Sequence, residues 1–262
     1  MGKITDALKK AAQERLGRIE KQDQQSEVKY EFITRKTIDS KIDPRIVAFY
    51  EPESPVTEQY RTLRTNMLAL DKAKPPKTII ITSSTHSEGK TITAINLAIS
   101  MAHDMDKKRI LLIDADLRRS KINSYLGVNA ELGLADLLTN DTNLDDALFN
   151  IGIDNLTILP AGKRPKNPAE LLSSLKMKRL LSLIKDKYDY MIFDTPPVIS
   201  VTDASILGPQ TDGVVMVIKA GHTQKGVIHH SQQLLKQAQA KLLGCILTNI
   251  QYHIPAYIYR YL

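Results

Sequence analysis

The order of apolar and polar positions divides the chain into regions of different texture. Residues 1–22 place Ile4, Leu8, Ala11, Ala12, Leu16 and Ile19 on one side of a helix, with charges opposite. Residues 23–54 are polar, mixed in charge and aperiodic, as a linker is, and end among Pro52 and Pro55. A second helix is predicted from residue 56 to about 70. From Lys77 onward, short apolar runs at 78–82, 110–114, 156–159, 190–194, 213–219 and 242–250 alternate with helical patterns, notably at 91–105, 168–187 and 224–240. The runs are rich in β-branched residues and nearly continuous, the mark of strands covered on both faces. Strand and helix in alternation predict an α/β fold, a mostly parallel central sheet with helices on both faces and right-handed crossovers. Ligands of such sheets bind at the carboxyl ends of the strands.

Composition narrows the class. Of 262 residues, 42% are hydrophobic and 25% charged, which is globular rather than disordered. Lys and Arg number 36 against 29 Asp and Glu, a net charge of +7 that permits nucleotide, nucleic acid or membrane as partner without choosing among them. The single cysteine, Cys245, excludes a disulfide framework and predicts a reducing compartment. No apolar stretch approaches the roughly 20 residues that cross a bilayer. Lys3, Asp6, Lys9 and Lys10 interrupt any secretion segment, and Asp6 stands where myristoylation needs Ser or Thr.

The chemistry lies just past three of the apolar runs. The first ends in Ser84-Thr85-His86-Ser87-Glu88-Gly89-Lys90-Thr91, close to the phosphate loop G-x-x-x-x-G-K-[ST], with Ser84 in the place of the first glycine. Backbone N–H groups and a helix N-terminus face the phosphates there, Gly89 lets the backbone approach, Lys90 reaches the β- and γ-phosphates, and the Thr91 hydroxyl binds magnesium. These eight residues, with Thr93, are the candidate nucleotide contacts. The second run ends in Asp114-Ala115-Asp116-Leu117-Arg118-Arg119 and a third in Asp194-Thr195-Pro196-Pro197. Any one such Asp is ordinarily a turn-former or helix cap. Three carboxylates at parallel strand ends beside a Gly-Lys-Thr loop predict a nucleotide–magnesium site, with Thr91, Asp116 and Asp194 as the metal candidates.

Together these motifs resemble the Walker A, Walker A-prime and Walker B motifs of the bacterial tyrosine kinases (BY-kinases) of capsule and exopolysaccharide synthesis, from about Pro52 to the end of the chain. The resemblance implies a P-loop NTPase fold of the MinD/ParA-like group and an ATP- and Mg2+-dependent protein-tyrosine autokinase that regulates polymer synthesis and export. Glu58-x-x-Arg61-x-x-Arg64, on a helix spanning 55–72, looks like the family's self-association motif. It implies a ring-shaped homo-oligomer, an octamer in the family, with a helix of one subunit near the active site of the next. Residues 251–262 look like the family's tyrosine cluster, which implies phosphorylation of Tyr252, Tyr257, Tyr259 and Tyr261 in trans, with 55–250 as the kinase domain. The leader at 1–22 resembles that of cytosolic members whose membrane-spanning activator, of the chain-length-determinant type, is a separate protein. The implied partners are that activator, a cognate tyrosine phosphatase and no nucleic acid; the implied location is the cytoplasm, at the inner face of the membrane. Asn249 is implied near the adenine.

A phenol with a pKa of roughly 10 needs alignment, charge neutralisation and a proton acceptor to attack a phosphoryl group. Lys90 supplies charge, and Asp114 and Asp116 are the candidates for acceptor, with Asp114 favoured and Asp116 and Asp194 near the metal. Arg118 and Arg119 could steady phosphate or tail, or pair with carboxylates. Glu58, Arg61 and Arg64 could equally be solvated i,i+3 pairs, and the alternating Tyr257, Tyr259 and Tyr261 one face of an edge strand. The rival function is a MinD- or ParA-type switch ATPase, whose signature lysine would stand where this chain has Thr85. A third is a weakly active scaffold. After Asp212 the chain has no acidic residue, so Lys219, Lys225, Lys236, Lys241 and Arg260 leave that segment at +5. Four phosphates would add about −6 to −8 and reverse the sign, which predicts that a fully phosphorylated ring falls apart.

Overall fold

The six apolar runs are all strands, and their order in the sheet sets the site. The structure, a computed structural model, describes residues 35–36 and 42–250 apart from 72, 74, 105–107 and 141. The expected helix at 1–22, most of the linker and the segment 251–262 with Tyr252, Tyr257, Tyr259 and Tyr261 lie outside the described residues. In chain order the strands are β1 (Arg35–Lys36), β2 (Thr78–Ser83), β3 (Ile110–Asp114), β4 (Phe149–Asn150), β5 (Leu156–Leu159), β6 (Tyr190–Asp194), β7 (Gly213–Lys219) and β8 (Leu242–Thr248). The helices are α1 (Val47–Tyr50), α2 (Pro55–Ala69), α3 (Lys90–Asp104), α4 (Ile122–Leu126), α5 (Leu134–Thr139), α6 (Leu144–Ala147), α7 (Pro168–Ser173), α8 (Leu175–Lys187), α9 (Asp203–Leu207) and α10 (Lys225–Gln237). The sheet runs β1-β4-β5-β3-β6-β2-β7-β8, parallel throughout except for β4 against β5.

Period-two alternation within the strands divides the core in two. Ile79, Ile81, Ile110, Leu112, Ile192, Val215 and Val217 pack with Ala94, Ile95 and Ala98 of α3 and Met67 of α2. Ile80, Leu111, Ile113, Met191, Phe193 and Val214 face the other way, onto Leu172 of α7, Met177 and Leu181 of α8 and Leu235 of α10. Both faces are covered, as the unbroken apolar runs of the central strands require. The strand β8 departs from that expectation. Among the described residues it is the sheet edge, and Gly244, Cys245 and Leu247 are exposed.

Two boundaries also differ from the sequence expectation. The helical pattern at 168–187 is two helices, because Ser174 is extended (φ −68°, ψ 160°) and its hydroxyl caps α8 by accepting from Met177 N at 3.1 Å. The expected linker ceases to be one by residue 42, since Ile42, Ile46 and Ala48 are buried and Ala48 N–H donates to Asn96 Oδ1 of α3 at 2.9 Å. The start of α2 follows from Pro55 at its first position and Ser54, which accepts from Thr57 N at 3.2 Å.

Candidate active site

The strand order puts β6 between β2 and β3, so the carboxyl ends of these three strands are neighbours. In register, Asp194 pairs with Ile81 on one side and Asp114 on the other. The loop after β2 therefore faces the loop after β3 across Asp194.

Residues 84–89 carry the chain from β2 into α3. Positive φ occurs at Ser87 (63°) and Gly89 (93°) and not at Ser84, which is why serine can replace the first glycine of the phosphate loop. Gly89 is required by its φ, which disfavours any side chain; space does not require it, since a Cβ there would meet Thr248 Cγ2 at an ordinary 3.5 Å. Glu88 is buried and turned inward: Oε2 accepts from Thr85 N at 2.8 Å and Oε1 accepts from the Thr223 hydroxyl. Thr248 Oγ1 donates to the Glu88 carbonyl at 2.8 Å, tying the loop to the end of β8. The first turn of α3 carries no acidic residue, and N–H groups of a first helical turn have no partner within their helix, so this end favours an anion.

Lys90 Nζ lies 3.1 Å from Asp116 Oδ2 and 3.3 Å from Asp194 Oδ1, and the Thr91 hydroxyl donates to Asp194 Oδ2 at 2.7 Å. Burial pulls the Lys90 ammonium down, but Asp194 and Asp116 outweigh it and its pKa is raised. Burial pushes the Asp194 carboxyl up despite Lys90 and Thr91. Asp114 shows no exposed surface. Oδ1 accepts from Asp116 N at 3.1 Å, and Oδ2 accepts from Ser120 Oγ at 2.7 Å and Ile122 N at 3.2 Å. Burial, then the nearby Asp194 charge, pushes its carboxyl up to about 7.

The candidates thus divide. A cavity of about 200 Å3 is lined by His86, Ser87, Gly89, Lys90, Thr91, Asp116, Arg119, Lys121 and Tyr125. Asp114 stands behind it, holding the loop that follows β3. Ser84 is buried against Met216 (Oγ to Sδ 3.6 Å), and His86 Nε2 is 3.3 Å from Ser200 Oγ. Thr93 is buried beneath α2, where its side chain meets the phenol of Tyr60. Asn249, left-handed at φ 56°, is exposed next to Thr248. Of the two arginines, Arg118 is structural: Nε and Nη2 each donate at 3.0 Å to the fully buried Asp203. Glu58 and Arg61 pair at 3.2 Å on α2. Sequence reasoning missed Lys121, Tyr125 and the loop-holding Thr223, Thr248 and Asp203, none of which belongs to a spaced motif.

The donors Thr91 Oγ1, Asp116 and Asp194 are all hard oxygens gathered around one ammonium, a set that fits a magnesium ion with water completing its shell. The fold and the cradle are those of an ATP-binding P-loop protein. Comparison with known proteins agrees. The AAA domain family model matches residues 76–243. The tyrosine-protein kinase YwqD of Bacillus subtilis is 39% identical over 81% of this chain and 89% of its own. The kinase domain of the Escherichia coli tyrosine kinase ETK superposes with a TM-score of 0.72 at 30% identity, covering 80% of this chain and 84% of that one. The Pyrococcus furiosus cell division ATPase MinD shares the fold, at a TM-score of 0.55 and 24% identity over 66% and 71% of the two chains. With Lys90, Thr91, Asp116 and Asp194 brought together in this way, the chain belongs to the bacterial tyrosine-protein kinases.

Proposed function

We propose that this chain transfers the γ-phosphoryl group of ATP to tyrosines of a second copy of itself, Tyr252, Tyr257, Tyr259 and Tyr261, within a ring, and thereby regulates capsule or exopolysaccharide polymerisation and export. The observation that carries the reading is the contact of Lys90 and Thr91 with Asp116 and Asp194, at 2.7 to 3.3 Å, in a chain 39% identical to a tyrosine-protein kinase.

In the reaction the phenol oxygen bonds to the γ-phosphorus, the bond to the ADP oxygen breaks, and the phenol proton passes to a carboxylate. The loop N–H groups and Lys90 hold and neutralise the phosphates. Magnesium, held by Thr91, Asp116 and Asp194, would supply further positive charge at the β- and γ-phosphates. Asp114, the acceptor that the sequence favours, has a carboxyl near 7 that ionises at neutral pH and binds a proton well, and takes the proton if the loop after β3 opens its buried face to the phenol. A second reading gives that role to Asp116, which alone of the two lines the cavity. The variants separate them: if Asp114 is the acceptor, Asp114→Asn keeps magnesium-dependent ATP binding and loses transfer, whereas Asp116→Asn weakens binding itself.

The pair Glu58–Arg61 and the nearby Arg64 serve the ring contact, orienting one copy against the next. No helix among the described residues is long and apolar enough to cross a membrane, so attachment to the inner membrane face is assigned to a separate membrane-spanning activator, and reversal of the reaction to a cognate tyrosine phosphatase. Transfer of labelled phosphate from ATP to the chain's own tyrosines, absent in Lys90→Met, tests the function. A wild-type protein that hydrolyses ATP and labels no tyrosine would return it to the switch ATPases.

A further inference from the structure

The wall of the cavity formed by the loop after β3 carries two cations that the proposed reaction does not use. Arg119 and Lys121 line the cavity beside Asp116 and are exposed. Other cations nearby are committed: Lys90 to Asp116 and Asp194, Arg118 to Asp203, and Arg45 to Asp43 at 2.8 Å. Among the described residues neither Arg119 nor Lys121 has an ion-pair partner. Arg119 is anchored at its backbone, whose N–H donates to Asp116 Oδ1 at 2.9 Å, so its side chain starts from a fixed point. Tyr125 closes the same rim, with the Arg45 guanidinium 5.0 Å above its ring.

Under the proposed function these cations sit on the acceptor's side. The phosphates of the nucleotide are served from the opposite wall, by the loop at 84–89, the first turn of α3 and Lys90. Asp116 lines the same wall as Arg119 and Lys121; under the proposed function the phenol comes to that wall, and an anion bound there is carried by the acceptor. The acceptor segment has no carboxylate side chain, because no Asp or Glu follows Asp212. Phosphate already placed on a tyrosine is the negative charge that the reaction itself adds to this segment. Tyr257, Tyr259 and Tyr261 recur at every second position, a spacing of about 7 Å in any extended peptide. A tyrosine at the reacting position then leaves its neighbour within reach of the rim.

We propose that Arg119 and Lys121 form a phosphotyrosine subsite, so that a tail carrying one phosphate is a better acceptor for the next than an unmodified tail. Guanidinium and ammonium groups without internal partners suit a dianionic phosphate, and the guanidinium binds it through two parallel hydrogen bonds. One phosphate lowers the +5 segment only to about +3, whereas four reverse its sign. The subsite therefore favours early rounds of transfer and is compatible with expulsion of a fully phosphorylated tail. This rests on the kinase reading above.

The test uses the full chain and three peptides with the sequence of residues 251–262: unmodified, phosphorylated at Tyr261, and carrying Tyr261→Glu. Transfer to each is followed by mass spectrometry. The expected result is a kcat/KM about tenfold higher for the phosphorylated peptide than for the unmodified one, with the glutamate peptide between them. In the double variant Arg119→Ala/Lys121→Ala the ratio should fall to near one. A ratio has the advantage that any effect of the variant on ATP binding cancels. Equal kcat/KM values in the wild type, or a preference that survives in the variant, would overturn the subsite while leaving the kinase standing. A glutamate peptide equal to the phosphorylated one would overturn phosphotyrosine as the specific ligand. Labelling of neither the peptides nor the chain itself would remove the kinase reading and the subsite with it.

Discussion

Replacing Asp114 by asparagine should stabilise the nucleotide-free fold at pH 8 relative to pH 5 while abolishing tyrosine labelling. Burial and Asp194 move the Asp114 carboxyl from 3.8 to about 7. A carboxyl raised on folding binds its proton more tightly in the folded chain than in the unfolded one. Its contribution therefore favours the fold at low pH and is lost as pH rises from 3.8 to about 7. The whole shift corresponds to about 4 kcal/mol. Asparagine has no charge to bury, so the variant escapes that loss. It also disturbs the contacts with Asp116 N, Ile122 N and Ser120 Oγ, at a cost of about 1–3 kcal/mol. That cost is the same at both pH values and cancels in the difference. Between pH 5 and pH 8 the wild type should lose about 2–3 kcal/mol that the variant keeps. Urea denaturation of both proteins without nucleotide, at the two pH values, measures it. Parallel stability–pH curves would refute the reasoning, because they would mean that Asp114 ionises in the fold without penalty and has no raised pKa to offer the phenol.

The same site supports three further expectations. Lys90→Met should lose labelling and ATP binding, and should destabilise the chain by about 2–4 kcal/mol at pH 8, since Asp116 and Asp194 keep no cation between them. The deficit should shrink as pH falls, because burial already pushes the Asp194 carboxyl up and the loss of Lys90 removes the charge that opposes its protonation, and an unchanged urea midpoint at pH 8 would contradict the paired geometry. Asp203→Asn breaks the fork to Arg118, a partly exposed partner, and should cost about 1–2 kcal/mol while raising the KM for acceptor more than that for ATP; equal changes in both would detach Arg118 from the acceptor wall. Arg61→Ala/Arg64→Ala should shift sedimentation toward monomer and reduce transfer between copies, whereas an unaltered assembly would return α2 to the role of a solvated helix.

Much of this fold is legible because its central strands are buried on both faces. An unbroken apolar run such as Ile110–Asp114 leaves little choice of structure when helical patterns flank it. The edge is harder to read. The run at 242–250 has the same apolar texture as the central strands, yet among the described residues β8 has no neighbour beyond it; composition does not tell a central strand from an edge. Ser174 was hidden for a different reason. The helical pattern continues across it, and one extended residue breaks the helix without disturbing the period. At the site, the Gly-Lys-Thr loop and the strand-end aspartates were readable because their spacing is imposed by a common ligand. Lys121 and Tyr125 belong to no such spacing, and the topology alone brings them to the cavity.

The carboxylates show why motif and role can part. Every loop at the end of a parallel strand exposes backbone N–H groups to the same crevice, and a nucleotide can satisfy only some of them. Glu88 takes Thr85 N, and Asp114 takes Asp116 N and Ile122 N, so the loops are in place before any ligand arrives. Asp203 fastens the same segment through Arg118. An arrangement built in advance in this way needs little reorganisation when charge moves during transfer. What remains to move is Lys90. It now sits between Asp116 and Asp194, and under the proposed function the β- and γ-phosphates compete for it. Drawn toward them, it leaves two carboxylates without a cation in a buried place, which is the position a divalent ion suits. Under the proposed function lysine and metal would each neutralise the same pair of carboxylates, which accounts for the contact of the β6 end with both the lysine and the threonine of the phosphate loop.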